Sequence, residues 1–326
     1  MVRFGGIGDE AAPDLAGQLD ALDRLGWDEL ELRTVDGVWI ADLPVLQVRE
    51  LGETLAARRV RVSGLASRIG NWSSSIADDF DRDLRELSRL AVCGTLLGTQ
   101  RIRVMSYPNA GLPDADWRRL VLQRMRILAE EADAQGMTVL HENCSGWAGT
   151  SAERTLDLLA SVDHPALRLL FDAGNGVPHG YDAFELLRQV IDQVEHVHIK
   201  DAVTADEGTE YVLPGQGEAR LAESLRLLTA AGWSGTWSLE PHLAARPHDG
   251  RFADGATESG FVAAGRALTA LVEREVLPAV PGWSLATGGL IGPVPPPPPE
   301  REPGWESGFD HLPLNARIDE AVHGDR

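Results

Sequence analysis

The feature of this sequence that most limits its fold is the regular alternation of short apolar stretches with longer amphipathic ones, up to about residue 277. Eight stretches have the β-branched, apolar character of strands, among them ELELRTV, RIRVMSY and HVHIKDA. Between them lie stretches such as PDLAGQLDALDRLG, where apolar residues recur every three or four positions and a glycine ends the run, as in helices. Because parallel strands need long crossover connections, the alternation predicts a parallel sheet in an α/β protein.

The number of units selects between two parallel architectures. Eight βα units in about 250 residues fit a closed (β/α)8 TIM barrel. A doubly wound open sheet is the alternative, but it needs a phosphate-binding glycine loop after the first strand, and GGIGDEAAP does not supply one. We therefore predict a (β/α)8 barrel as the catalytic domain over residues 1–277.

The sequence changes character after the predicted barrel. Residues 278–326 contain the run PVPPPPPE, scattered aromatic residues and no clear periodicity, which predicts a Pro-rich C-terminal extension. This extension is either a disordered tail or a semi-rigid segment that docks on the barrel or on a partner subunit. The docking interpretation predicts a homo-oligomer, or a hetero-oligomer with a partner subunit.

The charge and the cysteine content restrict the environment and the partners. The net charge is −20, whereas binding to a nucleic acid requires Lys and Arg side chains that displace counterions, so we predict no nucleic-acid partner. No signal peptide and no apolar run of membrane-spanning length are visible, which predicts no membrane association. The two cysteines, Cys93 and Cys144, make no disulfide framework, and together these features predict a cytoplasmic protein.

Four late strand-like stretches each end in a charged or metal-binding residue. They supply Glu142 (TVLHEN), Asp172 (LLFDAGN), His198 (HVHIKDA) and Glu240 (WSLEPH). Strand ends meet at the C-terminal face of a TIM barrel, and the alternation of side chains points these four towards the barrel axis. Three carboxylates and an imidazole would repel one another there without a cation. The pattern predicts a divalent metal site of the kind that suits Mn²⁺, Mg²⁺ or Co²⁺ better than a structural Zn²⁺.

As a set and in this order, HEN, FDAGN, HVHIKD and SLEPH resemble the sugar-phosphate isomerase/epimerase family. These are the xylose-isomerase-like TIM barrels that include ketose 3-epimerases, hydroxypyruvate isomerase and inosose dehydratase. The resemblance implies one divalent metal ion, Mn²⁺ before Mg²⁺ or Co²⁺, held by Glu142, Asp172, His198 and Glu240. It also implies that Glu142 and Glu240 are the catalytic acid and base, on opposite faces of the substrate.

The resemblance predicts a metal-dependent isomerase or epimerase that removes the proton next to the carbonyl of a small keto-sugar or keto-cyclitol. A lyase that uses the same enolate is the alternative, either by inosose-type dehydration or by C-glycoside deglycosylation of a 3-keto-glycoside. Ketose 3-epimerases of the family have His, Glu and Arg where this chain has Asn175, Ala148 and Thr204, which argues against a free ketose as the substrate. A non-catalytic carbohydrate-binding subunit is a third possibility, and the intact set of four residues argues against it.

Four further residues are predicted to contact the substrate. They are Lys200, Asn175, His141 and Trp147. Lys200 shares the inward parity of His198, so it either stabilises an oxyanion or forms a salt bridge with a neighbouring carboxylate. His196 lies deeper in the same strand and is predicted to be a buried hydrogen-bonding residue.

Overall fold

Eight parallel strands close into a barrel in the computed structural model, which describes residues 1–206, 208–243 and 257–293. In chain order the strands are β1 (Val2–Ile7), β2 (Glu29–Leu32), β3 (Thr34–Val35), β4 (Val38–Trp39), β5 (Arg61–Ala66), β6 (Arg101–Ser106), β7 (Thr138–Gly146), β8 (Leu167–Asp172), β9 (Val194–Ile199), β10 (Asp201–Ala205), β11 (Gly208–Val212), β12 (Gly235–Leu239), β13 (Ser284–Ala286) and β14 (Gly289–Ile291). The barrel order is β1-β2-β5-β6-β7-β8-β9-β12, and pairing of β12 with β1 closes the ring. The predicted TIM barrel is confirmed.

Helices connect the barrel strands and cover the outside of the ring. They are α1 (Leu15–Leu25), α2 (Val45–Arg58), α3 (Phe80–Leu97), α4 (Asp114–Ala134), α5 (Ala152–Val162), α6 (Gly176–His179), α7 (Ala183–Val190), α8 (Leu221–Ala230) and α9 (Thr257–Leu271). The sequence signals are visible at their ends: the Asp14 side chain accepts a hydrogen bond from the Gly17 amide at the start of α1, and Gly26 ends that helix in the left-handed conformation.

The two faces of each barrel strand differ in polarity. Val139, Phe171, Val197 and Leu239 belong to the hydrophobic core, with at most 1% of their surface exposed. Since neighbouring residues of a strand point in opposite directions, the polar residues next to them point into the barrel. This alternation explains how a strand such as HVHIK is buried although every second residue is polar.

A C-terminal hairpin extends the sheet beyond the predicted barrel. Strands β13 and β14 pair with each other, and β14 pairs antiparallel with β1 through Val2–Leu290 and Arg3–Gly289. A Cβ atom on Gly289 would lie 2.1 Å from the carbonyl oxygen of Val2, so the close pairing requires glycine at this position. The compact unit therefore runs to Gly292, whereas the predicted barrel domain ends at residue 277.

The rest of the predicted extension, residues 294–326 with the proline run, lies outside the described residues. In the part of the chain that the structure describes, no helix combines the length and the apolar character needed to cross a membrane.

Candidate metal centre

The four residues predicted to bind a metal come together at the C-terminal ends of four adjacent barrel strands. Glu142 lies in β7, Asp172 ends β8, His198 lies in β9, and Glu240 directly follows β12. Pairing of Asp172 with His198, and of Leu239 with Ile199, sets these strand ends at one level. All four side chains are buried, and one ligand atom from each lies within 4.8 Å of the others.

The atoms that face one another in this group carry lone pairs. His198 Nδ1 lies 3.3 Å from Glu240 Oε2, 3.7 Å from Asp172 Oδ2 and 3.8 Å from Glu142 Oε1. The same Nδ1 has no hydrogen-bond partner, and Glu142 Oε2 accepts no hydrogen bond. Buried, unpaired polar atoms are costly, and a cation among them would satisfy them together. The four residues therefore fit a divalent metal ion.

The charge of the surrounding cluster supports the same conclusion. The cluster has more buried carboxylates than buried Lys and Arg side chains. The carboxylates are Asp9, Glu10, Glu31, Glu142, Asp172 and Glu240, and the basic side chains are Arg33, Arg103 and Lys200. An excess of buried negative charge is unfavourable unless a further cation balances it.

Lys200 supplies one of these positive charges. Its Nζ lies 2.7 Å from Glu240 Oε2 and 2.9 Å from Asp172 Oδ2, and only 1% of the residue is exposed. Burial lowers the pKa of Lys200, but Asp172 and Glu240 raise it by more, so the pKa lies well above its usual value and the side chain is an ammonium. The salt bridge considered from the sequence is present, and the ammonium also faces the cavity described below.

Asn175 orients two of the carboxylates. Its Nδ2 donates to Glu142 Oε1 at 3.0 Å, and its backbone N–H donates to Asp172 Oδ1 at 2.9 Å. The backbone N–H of Gly174 donates to the same Asp172 oxygen at 2.8 Å. The turn after β8 therefore holds the carboxylate of Asp172 with its other oxygen, Oδ2, towards His198.

Arg33, which sequence analysis missed, binds the opposite side of Glu240. Its Nη1 donates to Glu240 Oε1 at 3.0 Å, and its Nη2 donates to Asp9 Oδ1 at 2.8 Å and to Glu10 Oε1 at 3.2 Å. The guanidinium is fully buried. The sequence did contain a signal, because ELELR places charged residues at alternate positions of a strand, as HVHIK does. What it could not show is that Arg33 meets a residue 207 positions away.

His242 is a second residue that the sequence analysis did not select. Its backbone has a φ of 50°, in the left-handed region that non-glycine residues seldom occupy. Its N–H donates to Glu10 Oε2 at 2.8 Å, and its Nε2 lies 3.4 Å from Glu240 Oε1. Strained backbone of this kind is often found at functional sites, where the surrounding contacts hold it in place.

A cavity of about 230 Å³ opens above these residues. Trp72 and Tyr211 are among the aromatic residues that line it, and Tyr211 belongs to the hairpin formed by β10 and β11. The polar part of the lining includes Arg103, Glu142, Asn175, Lys200, Glu240 and His242. The cavity thus brings both predicted catalytic glutamates, and two of the predicted substrate contacts, to one space.

The other two predicted substrate contacts do not line this cavity. His141 is fully buried, lies on the strand face opposite to Glu142, and has no hydrogen-bond partner on either ring nitrogen. Trp147 is also buried, and the guanidinium groups of Arg118 and Arg154 lie 5.9 and 5.5 Å from its ring centroid. Strand alternation turns the side chain of His141 away from the cavity, and the side chain of Trp147 packs beneath two arginines. Neither residue therefore belongs to the site that the cavity defines.

Comparison with known proteins gives a family match for most of the chain. Residues 19–257 match the family described as xylose isomerase-like TIM barrel. A structure of L-ribulose 3-epimerase superimposes with a TM-score of 0.67 at 16% identity, covering 86% of this chain and 96% of that one. At this identity the structural likeness supports the fold alone.

Curated relatives are similar over shorter stretches. The 3-dehydroshikimate dehydratase of Bacillus anthracis is 26% identical over 133 residues, which are 40% of this chain and 48% of that protein. The inosose dehydratase of Clostridium perfringens is 33% identical over 92 residues, 28% of this chain and 30% of that protein. This chain therefore spans less than half the length of either relative.

Proposed function

The chain belongs to the xylose isomerase-like TIM barrel family, and from that premise we propose that it is a divalent-metal-dependent dehydratase of a small cyclic keto compound. In the proposed reaction the proton next to the carbonyl is removed, a hydroxyl group leaves from the neighbouring carbon, and the products are an unsaturated carbonyl compound and water. The curated relatives of the chain include a 3-dehydroshikimate dehydratase and an inosose dehydratase.

The observation that carries this proposal is the unequal surroundings of the two glutamates. Glu240 is held by Arg33 at 3.0 Å and by Lys200 at 2.7 Å. Glu142 receives a hydrogen bond from Asn175, and its Oε2 lies 3.5 Å from Arg103 without a hydrogen bond. Epimerisation by two carboxylates needs groups that exchange the roles of acid and base, whereas an elimination needs one base and a separate proton donor. The asymmetry favours elimination.

The residues of the site have distinct parts in this reaction. The four-residue group of Glu142, Asp172, His198 and Glu240 would hold the metal ion. When bound there, such an ion would supply positive charge that stabilises negative charge on the carbonyl oxygen of the substrate. Glu142 takes the proton, since Asn175 positions its carboxylate while one oxygen stays free of hydrogen bonds. His242, which lines the cavity beside Glu240, is placed to protonate the departing hydroxyl, while the ammonium of Lys200 supplies positive charge beside it.

The cavity supports a substrate with a single ring. Ligand sites commonly have volumes of ~300–1,000 Å³, and this cavity of about 230 Å³ lies below that range. A keto-cyclitol or a cyclic keto acid is therefore favoured over a 3-keto-C-glycoside with a large aglycone. Ala148 and Thr204 stand at positions where the ketose 3-epimerases have substrate-binding residues, and neither lines the cavity. Ala148 is buried, and Thr204, in strand β10 of the hairpin, donates a hydrogen bond to the side chain of Glu218.

Epimerisation or isomerisation of a keto-sugar is the second candidate, because Glu142 and Glu240 both line the cavity. Incubation of the full chain with 3-dehydroshikimate, an inosose and a ketose in D₂O, with Mn²⁺ or after chelation, separates the two. A dehydratase forms a product lighter by one water with a new ultraviolet absorption, and this product disappears on chelation. Deuterium uptake without loss of water would instead establish the epimerase.

A further inference from the structure

A buried carboxylate on the opposite side of the barrel contacts the proposed histidine ligand. Glu31 of β2 has 1% of its surface exposed and lies within hydrogen-bond distance of two histidines of β9. His198 Nε2 is 3.0 Å from both carboxylate oxygens, and His196 Nε2 is 2.8 Å from Oε2. Strands β2 and β9 are not neighbours in the sheet, so this contact crosses the interior of the barrel.

This contact determines which nitrogen of His198 carries the proton when the imidazole is neutral. An ionised carboxylate only accepts hydrogen bonds, so the Nε2 that faces Glu31 is the donor. In a neutral imidazole the other nitrogen then holds a lone pair. That nitrogen is Nδ1, which faces Glu240, Asp172 and Glu142 and has no hydrogen-bond partner.

We propose that Glu31 is a positioning residue for the metal centre: by accepting the Nε2–H of His198, it fixes the tautomer and the ring rotation that present Nδ1 to the metal ion. The inference rests on the proposed metal centre and adds a residue from the first half of the barrel to it. Loss of such a partner typically weakens metal binding by ~10–100-fold.

The same strand offers a control for the effect of removing a buried carboxylate. Glu29 is 4% exposed, two residues before Glu31, and it is paired with Arg61 at 2.7 Å and Arg3 at 3.5 Å rather than with a histidine. Glu29→Gln changes a buried carboxylate of β2 without changing the hydrogen bonds of His198. His196→Phe is the second control, because it removes the other histidine that Glu31 serves.

The test is calorimetric titration of Mn²⁺ into chelator-stripped full chain, with thermal melts of each metal-free variant. Glu31→Gln should bind ~10–100-fold more weakly than the wild type, whereas Glu29→Gln and His196→Phe should keep its affinity. Wild-type affinity in folded Glu31→Gln and Glu31→Leu variants would overturn the proposal, because Leu, unlike Gln, leaves the Nε2–H of His198 without an acceptor. If the wild type binds Mn²⁺ no better than its Asp172→Asn variant, the metal centre itself is wrong and the role of Glu31 falls with it.

Nuclear magnetic resonance of the wild type keeps the proposal testable if Glu31→Gln does not fold. In protein labelled with ¹⁵N-histidine and loaded with diamagnetic Mg²⁺, His198 should carry its proton on Nε2 and lack one on Nδ1. The reverse tautomer would overturn the role of Glu31. Glu31→Asp keeps the negative charge but withdraws the carboxylate by one methylene, so its affinity should fall between those of Glu31→Gln and the wild type.

Discussion

The first four barrel strands and the last four place different kinds of side chain towards the centre of the barrel. The last four, β7, β8, β9 and β12, lead to Glu142, Asp172, His198 and Glu240, whose ligand atoms meet. The first four contribute Glu31, Arg33 and Arg103, each of which contacts one member of that group. One half thus provides the candidate ligands, together with Lys200, which contacts two of them, and the other half provides three further charged groups that contact them.

This difference teaches that a metal centre is only partly described by its ligands. A carboxylate that is free to rotate would bind a metal ion with less precision, and buried charges without partners would destabilise the fold. If the division between the halves is real, substitutions in the second half should abolish metal binding or chemistry. Substitutions in the first half should weaken affinity or stability.

The largest effect is expected for a ligand of the second half. Asp172→Asn should reduce metal affinity by more than the ~100-fold that loss of a partner outside the ligand set costs, because it removes a charged oxygen from the group. Metal content by mass spectrometry and affinity by calorimetry measure this. Asp157→Asn, at a pair on the surface with Arg118, is the control and should bind metal normally. Equal metal content in both variants would refute the ligand set.

Glu142→Gln should lower turnover by ~10²–10⁴-fold, the usual contribution of a general base, since the amide keeps an oxygen but cannot take a proton. The assay is product formation at saturating Mn²⁺, so that weaker metal binding does not limit the rate. Nearly unchanged turnover on a substrate accepted by the wild type would show that the base is another residue.

In the first half, Arg33→Met should lower the free energy of unfolding by about 3–5 kcal/mol, because it leaves buried carboxylates without their partner. Burial lowers the pKa of Arg33, but the carboxylates of Asp9, Glu10 and Glu240 raise it by more. The pKa therefore lies above its usual value, and the guanidinium is charged. Urea denaturation measures the loss. Arg58→Met breaks a half-exposed pair with Asp23 and should cost about 1 kcal/mol or less; a similar cost for both would contradict the buried role of Arg33.

A smaller effect is expected on the outer face of a second-half strand, where His141 lies. Burial lowers the pKa of His141 from 6.5 to about 4. Between these values the unfolded chain binds a proton that the folded chain does not, so stability is full above pH 6.5 and falls as the pH drops towards 4. At about 1.4 kcal/mol for each pH unit, this group accounts for about 3 kcal/mol.

Replacement of His141 tests the interpretation directly. His141→Leu should remove this part of the pH dependence of unfolding, as measured by denaturation at pH 4 to 7, and should leave turnover unchanged at neutral pH. A loss of turnover would show that His141 contributes to the active site, contrary to its position on the outer face of the strand.

The sequence allowed the barrel and the four converging residues to be predicted, because both depend on local pattern. Strand alternation gives the parity of Glu142 and His198, and the architecture gives the edge where strand ends meet. The partners of Glu31 and Arg33 could not be found in this way, because Glu31 meets His198 over 167 positions and nothing local encodes that pairing. The hairpin of β10 and β11, which brings Tyr211 to the cavity, has short, partly exposed strands and little periodicity.

The pairing of β1 has a consequence for how the chain reaches its structure during synthesis. The earliest strand of the barrel hydrogen-bonds to β12 and β14, which leave the ribosome after more than two hundred further residues. Until then the backbone groups of β1 that do not pair with β2 are without their final partners, and contacts so distant in sequence form slowly. Helper proteins that shield an open sheet edge would act in this interval. A chain that ends at residue 277 lacks β14. We therefore expect a chain that ends at residue 292 to refold faster, and with less aggregation, than the chain that ends at residue 277.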